Sequence, residues 1–426
     1  MKNKKAFLSI FLILIFLFTA CAKPSEVRST DSKNDVENTD KAEDGGLVNK
    51  AEERKIGVPY EVGVTPDDYN MDYDSSRLLS LREKKSKYYP KDGVKGLYFN
   101  TYIVNDPEKY SKIMDMLENT RLNSIVVDIK DDFGNITMNF DTDDEDINFS
   151  KTDLVDPKEF LKTMHEKGIY VIGRITTFKD SIITRKHPDW GFTMEDGSLW
   201  TNNNDEAFMN PFLKDVQDYD IKIAKLAAKA GFDEIQFDYV RFAEGFETFG
   251  DKLDYSRGEF ENKNMEEGDK RVGAITGFVK RAREELQNYD VPMSLDVFGY
   301  ALQVGRADGI GQDFGEMSNE TDVISSMIYP SHWGPHSFDI DKPDLQPYEL
   351  VKRYLKAEQE YLSKLDHPPV SRPWIQDFTA SWIGEGNWME YDKDAVEAQI
   401  RAIYDSGQKE FLLWNANADY TEGVEY

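Results

Sequence analysis

Eight short strand-like runs alternate with helix-like segments from residue 94 onward, and this alternation restricts the chain to very few folds. The runs are VKGLYFN (94–100), SIVVDIK (124–130), YVIGRITT (170–177), FDEIQFDYV (232–240), PMSLDVFGY (292–300), DVISSMIYP (322–330), VSRPWIQDF (370–378) and KEFLLWNAN (409–417). Helical patterns occupy 106–120, 157–168, 212–231, 272–289, 347–365 and 392–407, with only a short candidate at 311–319 between the fifth and sixth runs. Caps support them: Asp106 precedes Pro107 at a first-turn position, and Gly168 and Gly231 close two others. Strands joined by helices form parallel sheets, and eight such units predict an α/β fold of the (β/α)8 TIM barrel kind. A doubly wound open sheet is the alternative, but no G-x-G-x-x-G follows the first strand. The chain ends nine residues after the last run, leaving no eighth helix; 75–89, just before the first strand, is the candidate to fill that place.

Side chains alternate across a strand, so the polar positions can be sorted. In the fourth run Ile235, Phe237 and Tyr239 share the face that packs on helices, while Gln236 and Asp238 point into the barrel. The fifth run sends Leu295 and Val297 outward and Ser294 and Asp296 inward; the second sends Ile125, Val127 and Ile129 outward and Val126, Asp128 and Lys130 inward. Asp377 lies near the end of the seventh. An unpaired buried carboxylate costs several kcal/mol, so four of them near C-terminal strand ends point to the face where barrels of this kind carry chemistry. Ion pairing with Lys130, Arg174 and Arg241 is the structural alternative. Two carboxyl groups across a cleft suit glycosidic bond cleavage, one protonating the leaving oxygen and the other attacking carbon or activating water. Asp238 and Asp296 come from neighbouring strands about 4.8 Å apart, closer to the separation of retaining than of inverting enzymes.

The stretches VKGLYFNTY, VVDIKDDFGNITM and especially GFDEIQFDYVRF resemble the bacterial family described as "putative glycosyl hydrolase domain", a relative of the α-amylase-type clan, over roughly 93–420. The resemblance implies a glycoside hydrolase on a TIM barrel, with Asp238 as nucleophile, Asp296 as acid/base and Asp377 as a hydrogen-bonding stabiliser. This chain departs from the amylase type in having Asp rather than Glu at 296, and Gln236 where that type carries Arg. Asp128, Lys130, Arg174, Arg241, Tyr329, His332, Trp333, Trp382 and Trp414 are the substrate-contact candidates. The rival is a non-catalytic carbohydrate-binding protein on the same barrel.

The first residues, MKNKKAFLSIFLILIFLFTAC, carry a basic start, an apolar run and small residues before Cys21, the only cysteine. This reads as a lipoprotein export signal over 1–20, with Cys21 lipidated and the protein held at the extracytoplasmic membrane face. Residues 21–65 are polar and aperiodic and read as a disordered tether; 66–92 reads as a helical extension and 93–426 as the barrel. The formal charge of −28 repels a polyanion and excludes nucleic acid as a partner. Aromatic residues at 13% fit both core packing and sugar stacking. Gly334 and Pro335 separate His332 and His336 on anything but a helix, and DTDDEDINF (141–149) lacks the glycine of a calcium loop, so it reads as a solvated loop. The expectation is therefore a monomer with a carbohydrate substrate and no metal or cofactor.

Overall fold

The computed structural model describes residues 86–426; the export signal, Cys21, the tether and the extension up to 85 lie outside the described residues. Eight parallel strands close on themselves: β1 (Lys95–Phe99), β2 (Ser124–Lys130), β3 (Tyr170–Thr176), β4 (Glu234–Asp238), β5 (Met293–Phe298), β6 (Val323–Met327), β7 (Trp374–Gln376) and β8 (Phe411–Trp414). Because β1 pairs in parallel with both β2 and β8, there is no free edge and the open-sheet alternative falls away. Outside the strands lie α1 (Pro107–Asn119), α2 (Pro157–Glu166), α3 (Lys214–Ala230), α4 (Glu267–Leu286), the short α5 (Phe314–Asn319), α6 (Pro347–Leu362) and α7 (Lys393–Asp405).

The helices start and stop where their sequence dictates. Asp106 accepts the Lys109 amide at 3.1 Å ahead of Pro107, and Asp156 accepts those of Lys158 and Glu159 ahead of Pro157. Gly231 ends α3 with φ of 103°, a conformation a side chain would resist. The α3 residues Val216, Ile223, Ala224 and Ala227 are buried at helical spacing and join Ile235, Phe237 and Leu295 from the strands in one outer core.

The barrel interior is not apolar throughout. Toward its N-terminal end Arg372 donates to Glu234 at 2.7 and 2.9 Å and to Glu410 at 2.8 Å, all fully buried. Tyr170 donates to Glu234 and Tyr89 to Glu410. Tyr89 comes from below: residues 86–92 run as turns beneath the barrel, with Tyr88 stacked on His165 at 3.9 Å. The helix expected over 75–89 therefore does not extend into its described part. Pro90 disfavours helical backbone at Tyr89, and the two tyrosines serve as separate plugs. After β8 the chain brings Ala418, Tyr420, Val424 and Tyr426 into the outer core instead of an eighth helix.

A second difference concerns β2. Its register against β3 slips between Asp128 and Lys130, so that Lys130 pairs with the outward Ile175. This bulge turns Lys130 out of the barrel. Its ammonium donates to Asp220 at 2.6 Å and to the Thr177 carbonyl at 2.9 Å, and pairs with Asp180 at 3.2 Å, all behind the sheet. The run 141–149 also differs from expectation: it holds a short helix, Glu145–Ser150, capped by Asp144, with Asp146 paired to Lys186 and His187.

Removing one member of a buried ion group strands the others. Arg372→Met is expected to lower unfolding free energy by about 3–5 kcal/mol in urea titration; a change under about 1 kcal/mol would mean that Glu234 and Glu410 take up protons at no cost.

Candidate active site

Arg174, on β3, organises the C-terminal mouth of the barrel. The residue is 1% exposed, and alternation along β3 points it inward with Ile172. Its Nε and Nη2 both donate to Asp238 Oδ2, at 2.9 and 2.6 Å; Nη1 donates to Asp128 Oδ1 at 2.6 Å, and Nη2 also reaches Asp132 Oδ1 at 2.8 Å. One guanidinium thus joins carboxylates from three places in the chain, using the fork geometry that lysine lacks. The guanidinium also lies against the rings of Tyr98 and Trp414, 5.8 and 5.5 Å from their centres. Tyr98 donates to Asp128 Oδ2 at 2.5 Å.

Asp238 is the last residue of β4, and the next residue, Tyr239, turns to φ of 52°. That left-handed backbone is costly for a tyrosine. It lets the Tyr239 amide donate to Asp238 Oδ1 at 2.6 Å, so both carboxylate oxygens are held. Asp296 stands on the neighbouring strand, one step past the Phe237–Leu295 pair. Trp374 Nε1, pointing inward from β7, donates to its Oδ1 at 2.7 Å. Burial, and after it the charge of Asp238, pushes the Asp296 carboxyl well above the usual range, toward the neutral acid. Burial also lifts Asp128 to about 7 against the opposing pull of Arg174. Asp132 goes the other way: burial would raise it, but Arg174 and Lys179 outweigh that and hold it at about 2.

Several expected contacts join this group. Tyr329 is buried within the electrostatic reach of Asp296 and Asp238. His332 packs against Tyr329 and Phe378 at 5.1 and 6.4 Å, and burial lowers it to about 4, leaving a neutral imidazole. Trp414 lines the mouth between Tyr98 and Trp374. Trp382, 51% exposed, is stacked on Phe378 at 5.9 Å. Arg241 lies nearby, stacked on Tyr239 and Phe298 and paired with Glu244 at 3.0 Å.

Three expectations are corrected. Lys130 is behind the sheet, as described. Asp377 accepts the hydroxyl and amide of Thr421 and sits at about 6, raised by burial, against the C-terminal segment rather than beside Asp238 and Asp296. β7 ends at Gln376, and with Trp374 inward and Ile375 outward, alternation sends Asp377 outward. Trp333 packs on Phe338 and Tyr354 at 5.1 and 5.7 Å, filling the layer outside the barrel instead of forming a platform. His336 is exposed, facing Asp341 at 3.7 Å, apart from the buried His332. Asp132, Lys179, Tyr98 and Trp374 were missed. Alternation along β7 exposes Trp374 as inward, and Asp132 follows β2 directly in DIKDDF.

A closed parallel barrel with carboxyl groups gathered at its C-terminal mouth defines the class of (β/α)8 enzyme-like domains. Residues 96–420 match the family described as "Putative glycosyl hydrolase domain", and the protein belongs to that family. It is a glycoside-hydrolase-like domain. No curated protein matches the chain. Among solved structures, the glycoside hydrolase domain of PgaB (BpsB) from Bordetella bronchiseptica is 15% identical, with 76% of this chain and 94% of that one covered and a TM-score of 0.55, which shows a shared fold. A hypothetical protein from Ruminiclostridium thermocellum is 30% identical over 49% of this chain and 98% of its own, at a TM-score of 0.40. The α-galactosidase of Thermus thermophilus is 9% identical over 82% and 63%, at 0.45.

A carboxyl raised to about 7 on folding contributes stability that is complete below its unfolded value near 3.8 and lost as pH rises through 7. Asp128→Asn abolishes that titration. The difference in melting temperature, variant minus wild type, is expected to become more favourable to the variant between pH 5 and pH 8; a difference that does not change with pH would show that Asp128 does not titrate there.

Proposed function

We propose that the protein is a retaining glycoside hydrolase acting on an extracytoplasmic or cell-envelope poly- or oligosaccharide. The observation that carries this reading is the contrast between two adjacent carboxyl groups. Asp238 takes two N–H groups of Arg174 on one oxygen and the Tyr239 amide on the other, while burial of Asp296 and the charge of Asp238 beside it favour the acid form of Asp296. Opposed environments of this kind divide acid from nucleophile.

In the first step Asp296 gives its proton to the glycosidic oxygen as the bond from that oxygen to the anomeric carbon breaks, and an Asp238 oxygen bonds to the carbon. In the second, the Asp296 carboxylate takes a proton from water, whose oxygen attacks the anomeric carbon and releases Asp238. Trp374 Nε1 steadies Asp296 throughout, its hydrogen bond strengthening as the group becomes an anion. Tyr98, Trp414, Tyr329, Phe378 and Trp382 supply aromatic surface for sugar rings. Asp377 has no part in this scheme.

Asp238→Asn is expected to reduce turnover by at least about 10³-fold while leaving glycan binding within a few-fold, a loss of transition-state stabilisation alone. The sugar released by wild type should keep its anomeric configuration when followed by NMR. Full activity in the variant would remove Asp238 from the chemistry, and inversion would recast it as a general base. Glycan binding without any turnover in wild type would favour a non-catalytic binding protein.

We further propose that Cys21 is lipidated and tethers the domain to the extracytoplasmic membrane face, on the basis of the signal-like residues before it. Cys21→Ala is expected to shift the protein from the membrane to the soluble fraction or to leave the precursor uncleaved; unchanged processing and membrane retention would contradict this.

A further inference from the structure

The geometry points to Asp132 and Lys179 as a paired cradle that reads two adjacent hydroxyls of the sugar at the reacting position. This rests on the hydrolase reading and adds to it a subsite and the sugar feature that subsite recognises.

Asp132 is close to the proposed nucleophile for a simple reason. Its Oδ1 and Asp238 Oδ2 hang from the same nitrogen, Arg174 Nη2, at 2.8 and 2.6 Å, so the two carboxylates stand within the width of one sugar ring. Thr176 Oγ1 also donates to Oδ1, at 3.1 Å, which fixes the carboxylate plane. Oδ2 is different. Its neighbours are the Tyr239 hydroxyl at 3.5 Å and Lys179 Nζ at 3.9 Å, both beyond the 2.5–3.2 Å of a well-formed hydrogen bond. Among Asp128, Asp132, Asp238 and Asp296, the Asp132 side chain is the most open, at 22% exposed. It is anionic at any physiological pH, held so by Arg174 and Lys179.

Lys179 completes the pair. Its side chain is 5% exposed, pinned by Glu206 at 2.8 Å and lying 4.9 Å from the Tyr239 ring centre. One of its three protons goes to Glu206; the ammonium faces Asp132 Oδ2 across a gap too wide for a direct bond. A fixed acceptor and a fixed donor this close suit adjacent ring hydroxyls, one donating to Asp132 and the other accepting from Lys179. Neither partner then has to move, so the recognition costs little ordering entropy.

The test uses the full-length protein and a panel of para-nitrophenyl glycosides of common hexoses, in both anomers, with the 2-, 3- and 4-deoxy analogues of whichever is cleaved. Wild type is expected to lose about tenfold to a hundredfold in kcat/KM on the deoxy sugar that lacks the hydroxyl donating to Asp132. Asp132→Asn should show a loss of similar size on the parent sugar and almost no further loss on that deoxy analogue. Lys179→Met should do the same for the neighbouring deoxy position. A purely structural role would leave the deoxy penalty intact in both variants, and that result overturns the proposal. Calorimetric binding of the matching methyl glycosides to wild type and to both variants separates the two readings. Binding with the same deoxy pattern but no cleavage keeps the cradle and removes the hydrolase. Cleavage with an unchanged deoxy penalty in the variants keeps the hydrolase and removes the cradle. Neither binding nor cleavage removes both.

Discussion

One guanidinium makes the mouth of this barrel possible. Asp128, Asp132 and Asp238 would repel one another in a region of low effective dielectric, and Arg174, which donates to all three, allows them to share it. Its position follows from β3: with Tyr170 and Ile172 inward, Arg174 is carried inward to the level of Asp128 on one side and Gln236 on the other. Arginine suits the place because its N–H groups are rigid and point in several directions in one plane. A lysine carries its donors on a single nitrogen and lacks the fork with which Arg174 holds Asp238 through two nitrogens while reaching Asp128 with a third.

The same device appears at the other end of the barrel. Arg372 joins Glu234 and Glu410 beneath an apolar belt of Val126, Ile172, Val323 and Leu412. The two charged levels differ in what closes them. The lower one is sealed by Tyr89 and Tyr170, whose hydroxyls occupy acceptor sites on the glutamates. The upper one opens toward solvent at Asp132, and its neighbours include a strained residue, Tyr239 at φ of 52°. A sealed ion layer is a structural element; an open one beside strained backbone is where function is built.

Much of this was legible in the sequence because a barrel strand states its own geometry. Period-two alternation correctly assigned Asp238, Asp296 and Asp128 to the lumen, and the eight-fold alternation gave the closed sheet. The failures have local causes. Lys130 was misplaced because a one-residue bulge after Asp128 reverses the alternation, and nothing in SIVVDIK marks a bulge. Asp377 was misplaced because its position near a strand end was weighed above its parity with Trp374, which alone would have sent it outward. Trp333 was read as a substrate contact, but a loop tryptophan can turn into the layer beneath it, and here Phe338 and Tyr354 provide the apolar contact. Asp132 and Lys179 lie on loops, where direction depends on tertiary contacts that alternation does not describe.

An aspartate at position 296, and not the longer glutamate, has a physical consequence at this site. An aspartate is one methylene shorter than a glutamate, so its carboxyl stays nearer the strand and deeper in the barrel. There it is 2% exposed and within reach of Trp374 Nε1, which comes from two strands away across the lumen. Depth strengthens both influences that favour the neutral acid: desolvation, and the uncompensated part of the Asp238 charge. The shorter side chain therefore gains acidity control and loses reach. Under the proposed role of Asp296, the glycosidic oxygen has to enter the mouth instead of being met at the rim. On the proposed hydrolase reading, an acid this low calls for a substrate whose scissile bond enters the mouth, beside the indole of Trp374 that holds Asp296.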